Sequence, residues 1–434
     1  INLSYLDRYI LNVTMRSDGS SRFAPSDRYG YFPSVSLGWN VSKESFWKFP
    51  QTDLKFRLSY GKTGNQDGIG NYAWQPLMSG GINYGNNSGM AVTSMGNNKL
   101  TWETADQYDF GFDLGFWNGK LNMIADIYLK NTNNLLYSMP LHGTSGFTSI
   151  TSNIGSMRNY GVEFSINGHL NIGKVNWTSS FNISHNKNKL TKLLGDDLLP
   201  IGSNRALKVG EELGAFYLFQ MDGLYQYDGE VPQPLYDLGV RAGDVKYHDA
   251  DNNGIINDND RVLTGSSNPD FFGGWNNTFK YKGFQLDVFF TYMYGNDVYA
   301  EWAVTATRPG YRMAITEDVA KNRWTAPGSS DKYPRAVNTL CGHNSKNSTR
   351  FLEDGSFIRL RSLTFSYTFP QVMLQKICLK GLRLYVQGDN LLLFSKYSGW
   401  DPEVSKNMDP QYFGVDLYGV PPSRSVNFGI NLSF

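Results

Sequence analysis

Apolar and polar residues alternate along most of this chain, and that period of two limits it to β-strands with two chemically different faces. In "RYILNVTMR" the side chains of Tyr9, Leu11, Val13 and Met15 share one face, while Arg8, Asn12, Thr14 and Arg16 share the other. The pattern returns at Leu54/Phe56/Leu58/Tyr60, Tyr108/Phe110/Phe112/Leu114/Phe116, Leu121/Met123/Ala125/Ile127/Leu129, Tyr160/Val162/Phe164/Ile166 and Phe284/Leu286/Val288/Phe290. It is cleanest in the last stretch, Val426/Phe428/Ile430/Leu432/Phe434. Further stretches begin at Val35, Val175, Trp275 and Leu382, and "SFIRLRSLTFSYTFP" brings the series to about twelve strands. In that last stretch the apolar phase shifts near Arg361, which predicts a β-bulge.

The connections decide where such strands belong. Short turns follow alternate strands: "NGK" after Trp117, "NIG" after Leu170 and "KG" after Tyr281, with longer links at 42–53 and 370–381. The intervening connections are long, about 40 residues from Lys62 to Ala105 and about 60 from Gly295 to Ser356. Short turns on one side and long loops on the other are the build of a transmembrane β-barrel, with the apolar face toward lipid. No run of apolar residues is long enough for a membrane helix, and the mean hydropathy of −0.40 is no objection, because alternating strands average out to a polar value. The 45 glycines and the 15% of aromatic residues suit the same all-β reading. A net charge of +1 points to no nucleic-acid partner. "GAFYLFQMDGLYQY", 214–227, looks like a strand, but counting it as spanning would run two successive strands in the same direction. It is expected inside one long extracellular excursion, about 189–271.

That excursion contains "HDADNNGIINDNDR", 248–261. With Asp249 as position 1, Asp251 falls at 3, Asn253 at 5, Gly254 at 6, Ile255 at 7, Asn257 at 9 and Asp260 at 12, the EF-hand-type spacing. Asp249, Asp251, Asn253 and Asp260 offer side-chain oxygens and Ile255 its carbonyl, a donor set for Ca²⁺; the competing reading is a solvated turn without metal. Position 12 is Asp where the bidentate Glu is usual, and no helical periodicity flanks the loop, so a calcium here would brace rather than signal. Trp74, Trp102, Trp302, Trp324 and Trp400 fall in or near the long loops, where they either stack on sugar rings or, as expected of any single one, pack the loops together. Trp39, Trp117 and Trp177 sit at strand ends, suited to an interfacial aromatic girdle.

Arg8, Arg16, Arg57, Arg359, Arg361 and Arg383 fall mostly on the polar faces, where pairing with carboxylates such as Asp109, Asp113, Asp126, Glu163 and Asp287 is expected, since an unpaired buried charge is costly. Nothing resembles a catalytic constellation: no histidine pair has metal-ligand spacing, and there is no nucleophile elbow or phosphate loop. The two cysteines, Cys341 and Cys378, are expected at opposite ends of the barrel, about 40 Å apart, so a disulfide between them would contradict this topology.

Several stretches, in order along the chain, resemble the C-terminal part of SusC-like (RagA-like) TonB-dependent outer-membrane transporters of Bacteroidetes. They include "SDGSSRFAPSDRYGYFPSVSLGW", "LKFRLSYGKTGNQ", "LTWETADQYDFGFDLGFW", "MRNYGVEFSI", "AGDVKYHDADNNGIINDNDRVLTGSSNPDFFGGWNNTFKYKGFQLDVFF", "EDGSFIRLRSLTFSYTFP" and "GDNLLLFSKYSGWDPEV". The terminal Phe434 also resembles the assembly signal of outer-membrane barrels. The resemblance implies a barrel of about 22 strands with an N-terminal plug, a TonB box and a SusD-like lipoprotein as lid. The strands here would be its C-terminal part. The plug and TonB box have no counterpart in this sequence, and its first residues do not form a signal peptide, so the chain is expected to be one part of a longer protein and to pair with the remaining half of the barrel.

The function expected is therefore non-enzymatic: the barrel part of a TonB-energised importer in the outer membrane, surrounded by lipid and passing glycans or, as the alternative, peptides. A passive porin and a secreted carbohydrate-binding protein are the other readings. The porin would lack the large excursion, and the secreted protein would lack apolar outward faces.

Overall fold

A computed structural model describes residues 1–195, 198–310, 313–337, 342–375, 379–406 and 412–434. No helix among the described residues is long and apolar enough to cross a membrane. The chain forms two compact units.

The first unit comprises Ile1–Asp197 with Lys208–Leu213 and Trp275–Tyr281. Its wall strands include Asn2–Tyr5, Tyr9–Gly19, Tyr29–Asn40, Thr52–Asn65, Glu103–Phe116, Leu121–Pro140, Ser149–Ile172 and Val175–Leu193, each antiparallel to the next. Register turns the alternation of single strands into continuous faces. Leu11, Leu37, Leu58, Phe110, Ile127 and Val162 stand opposite one another across six strands. One residue along, Asn12, Ser36, Ser59, Asp109 and Tyr128 make the matching polar row. In lipid no water is present to satisfy backbone groups, so hydrogen bonding to a neighbouring strand is what lets such a wall cross the membrane. The apolar row stays uncovered, with Leu37, Leu58 and Phe110 each about half exposed, as a lipid-facing surface requires.

Two details differ from the sequence reading. The short strand Asn2–Tyr5 was not expected, because four residues are too few to show a period. The strand Ser149–Ile172 runs two residues beyond Leu170, so the corner is Gly173–Lys174, where Gly173 takes a positive φ of 62°.

The second unit comprises Leu198–Leu207, Gly214–Gly274 and Lys282–Phe434. Its wall strands are Phe284–Tyr294, Phe357–Thr368, Gly381–Ser395 and Ser425–Ser433, again antiparallel, with Leu286, Phe365, Val386 and Phe428 in one apolar row. The bulge lies at Arg361: pairing steps from Leu360 to Ser362 against both neighbouring strands. The extra residue lets Ile358 and Phe365, which are out of phase by sequence, both remain outward at 52% and 47% exposure.

The stretch 214–227 does not join the wall. Ala215–Phe219 pairs with Arg261–Ser266 in a separate four-stranded sheet, and Met221–Leu224 pairs with Val245–Tyr247. Two of the chain's apolar cores sit in these loop regions. One gathers Phe216, Leu218, Val298, Tyr299, Phe351, Tyr397 and Val415, drawn from three separate long connections; another gathers Leu224, Leu235, Val240, Val245, Tyr247 and Ile256. Most wall residues face lipid or lumen, so burial of this kind falls largely to the loops; in the first unit Phe32 of the wall is buried together with Phe23, Ile69, Leu100 and Trp102.

Candidate functional site

The Asp/Asn loop folds around Gly254, whose φ of +79° is the left-handed conformation that position 6 demands and that side chains resist. Reversal there brings the N–H groups of Asn253 and Gly254 onto the Asp249 carboxylate, at 3.1 and 2.7 Å. Asp251 accepts from the N–H of Asn253 at 3.2 Å and from its side-chain amide at 2.8 Å. Asp260, wholly buried, accepts from the N–H groups of Ala250 and Asn257, at 2.9 and 2.7 Å, and so closes the two ends of the loop on each other. Asn257 caps the short 3₁₀ turn Asp258–Asp260.

Asp249, Asp251 and Asp260 thereby bring a carboxylate oxygen each to within 4.8 Å of one another. Two like charges at that spacing repel by roughly 3 kcal/mol at an effective dielectric of ~20. Among the described residues the loop carboxylate that finds a guanidinium is Asp258, 3.0 Å from Arg261, which is outside the trio. Burial pushes the Asp249 carboxyl upward, but the N–H donors of Gly254 and Asn253 outweigh it and hold the group below its ordinary value. The three carboxylates thus stand at close quarters as an all-oxygen donor set that suits a hard cation. Of the other expected ligands, the Asn253 side-chain oxygen accepts the Ile255 N–H at 2.7 Å, and the Ile255 side chain is half exposed.

The loop tryptophans separate. Trp102 is buried against Phe23 and Phe32 and donates to the Arg28 carbonyl at 3.2 Å. Trp302 donates to the Tyr397 hydroxyl at 3.1 Å, and Trp324 donates to Gln226 at 3.1 Å, so both hold loops together. Trp400 is 79% exposed. At the strand ends, Trp39 and Trp117 are exposed, and Trp177 stacks on Phe279.

Five of the six polar-face arginines meet carboxylates, and Arg383 bonds to a hydroxyl instead. Arg57 meets Asp113 at 3.0 Å and Asp126 at 2.7 Å, in space left by Gly111, where a Cβ would collide with both Arg57 and Asp126. Arg8 meets Glu44 at 3.3 Å, Arg16 meets Asp18 at 2.8 Å, and Arg383 donates to Ser366 at 3.0 Å. Arg359 and Arg361 find partners the sequence reading missed: Asp401 lies 2.6 Å from Arg359, and Glu403 bridges Arg359 at 3.0 Å and Arg361 at 2.8 Å. The signal was present in "GWDPEV", whose two acids are spaced as the two arginines are. Cys341 and Cys378 lie outside the described residues.

An antiparallel wall with one continuous apolar face and one polar, charge-paired face defines an outer-membrane β-barrel. Comparison with known proteins gives the family. The chain belongs to the TonB dependent receptor-like β-barrel family, whose model matches residues 1–391. That family consists of receptors and transporters, not enzymes. TonB-dependent receptor P3 of Formosa agariphila is 34% identical over all of this chain and 45% of its own length. TonB-dependent receptor SusC of Bacteroides thetaiotaomicron is 31% identical over all of this chain and 43% of its own length. Among solved structures, the RagAB peptide transporter superposes with a TM-score of 0.86 at 27% identity, over 100% of this chain and 47% of that one. The chain thus spans less than half the length of the relatives it matches.

Proposed function

We propose that this chain is the C-terminal barrel part of an active importer of glycans, energised by TonB through the rest of the protein and closed outside by a SusD-like surface lipoprotein. The observation that carries the cargo class is the polar face. Arg57, Arg359 and Arg361 are neutralised by carboxylates, leaving a lining that is hydrogen-bonding but not strongly charged, which suits neutral, hydroxyl-rich oligomers. Peptides are the second reading, favoured by the likeness to the RagAB peptide transporter. Uptake of labelled oligosaccharides and oligopeptides by cells carrying the full-length gene, with and without TonB, separates the two. TonB-dependent uptake of peptides alone overturns the glycan reading, and uptake without TonB overturns active import in favour of a porin.

We further propose that Asp249, Asp251 and Asp260, with Asn253 and the Ile255 carbonyl, hold a structural Ca²⁺ on the cell-surface side, within an extracellular excursion of about 189–271. The ion would supply the positive charge that relieves the repulsion among the three carboxylates. Chelation is expected to speed proteolytic cutting within 249–260 in the wild type and to change nothing in Asp249→Asn/Asp260→Asn. Equal cutting of the wild type with and without chelator refutes the site.

A further inference from the structure

The first unit carries a groove of about 660 Å³ on its outward face, between two cross-strand rows. On the side of the short turns stand Tyr9, Trp39 and Phe56; on the far side stand Leu11, Leu37 and Leu58. Its size falls in the range of small-ligand sites, roughly 300–1,000 Å³. The aromatic wall is fixed in place, because the Glu44 carboxylate accepts from the Tyr9 hydroxyl at 2.6 Å and from the Trp39 indole N–H at 3.1 Å. Arg8 meets the same carboxylate at 3.3 Å and remains about one-third exposed. The partly exposed Arg8–Glu44 ion pair therefore stands beside the aromatic row, at the end nearest the turns.

We propose that this groove is a binding site for a glycerophospholipid of the periplasmic leaflet, with an acyl chain between the two rows and its phosphate against Arg8. The groove is continuous with the lipid-facing apolar band, so what covers it in the membrane is lipid. Lipid tails are as apolar as the wall itself, so water exclusion selects no particular lipid. Selection must come from fit against a rigid surface and from charge at the headgroup level. Glu44 supplies the rigidity, and the exposed part of the Arg8 guanidinium, shared with Glu44, supplies the donor for a phosphate. The aromatic row lies at the turn end, where Tyr and Trp belong at headgroup depth, and short turns mark the periplasmic side. The phosphate-bearing lipid of that leaflet is thus the occupant that matches both ends of the groove.

The test uses the full-length receptor purified from outer membranes in a mild detergent, with bound lipid read by native mass spectrometry. The expected result is retention of a phospholipid at stoichiometric level, with added phosphatidylethanolamine binding in preference to diacylglycerol of the same chains. Arg8→Gln is expected to weaken retention by about fivefold, since one basic residue near a headgroup is worth ~1 kcal/mol. Leu37→Phe with Leu58→Trp, which fills the groove yet keeps the outer face apolar and the barrel insertable, is expected to abolish retention. Equal lipid on the wild type and the filled variant overturns the proposal. So does equal binding of phosphatidylethanolamine and diacylglycerol, or a protein found on this face in place of lipid.

Discussion

Replacing Asp401 by Ala removes one arm of the ion cluster that ties residues 401–403 to the strand Phe357–Thr368. Arg359 and Asp401 are almost wholly buried, with side chains 3% and 5% exposed and 2.6 Å apart. Breaking a buried pair on one side typically costs about 3–5 kcal/mol, because the remaining charge loses its compensation. Here Glu403 stays 3.0 Å from Arg359 and supplies part of that compensation, so the low end, about 3 kcal/mol, applies. Asp401 also accepts the Glu403 N–H at 2.9 Å, so the loss is local and loosens the segment from its anchor. Hydrogen exchange by mass spectrometry on the full-length protein reads the opening directly. Three kcal/mol corresponds to about a hundredfold faster exchange in peptides covering 396–406, with the far wall strands unchanged. The paired change Arg359→Met with Asp401→Leu removes both charges and is expected to recover most of the protection, to within about 1 kcal/mol. An Asp401→Ala protein whose 396–406 peptides exchange at the wild-type rate would refute the view that this cluster anchors the loop.

Three other outcomes are expected. Trp102→Ala, which empties a site packed by Phe23 and Phe32, costs about 3–5 kcal/mol of local stability and exposes 66–102 to protease, whereas Trp102→Phe keeps the ring contacts and is cut more slowly. Gly111→Ala drives a Cβ into the Arg57–Asp126 pair and lowers barrel stability by about 1–3 kcal/mol, read as a shift in heat-modified gel mobility; Ala at the unconfined Gly143 leaves it unchanged. Without calcium, the Asp249 carboxyl contributes stability above its unfolded value near pH ~4, and that contribution is lost as pH falls through its lower folded value. Proteolysis of 249–260 should therefore quicken only on the acid side of about pH 4, and an onset near neutrality would contradict this linkage.

The wall was legible in the sequence because its determinants are local. A period of two and a Lys-Gly corner at 282–283, where φ is positive at both residues, need no knowledge of distant residues. Even the bulge at Arg361 announced itself as a phase slip. The spacing of Asp249, Asp251 and Asp260 was equally local, and the structure brings those three together. What escaped was long-range. The matched two-residue spacing of Arg359/Arg361 and Asp401/Glu403 hints at that pairing across 42 residues, but nothing around Val298 points to Phe216 or Val415. Those contacts arise because residues of separate long connections pack against one another, which no single segment's pattern records.

The loop core drawn from Phe216, Val298, Tyr299, Phe351 and Val415 bears on how such a protein can acquire a new cargo. A core shared among three connections cannot be swapped one connection at a time, because each replacement would leave the other two with apolar side chains facing water. The surface loops should therefore be inherited, and engineered, as a set. The wall must keep its period and also the residues that grip the loops, as Arg359 grips Asp401, so transplanting all three connections with those anchors onto another barrel is the exchange most apt to yield a working hybrid.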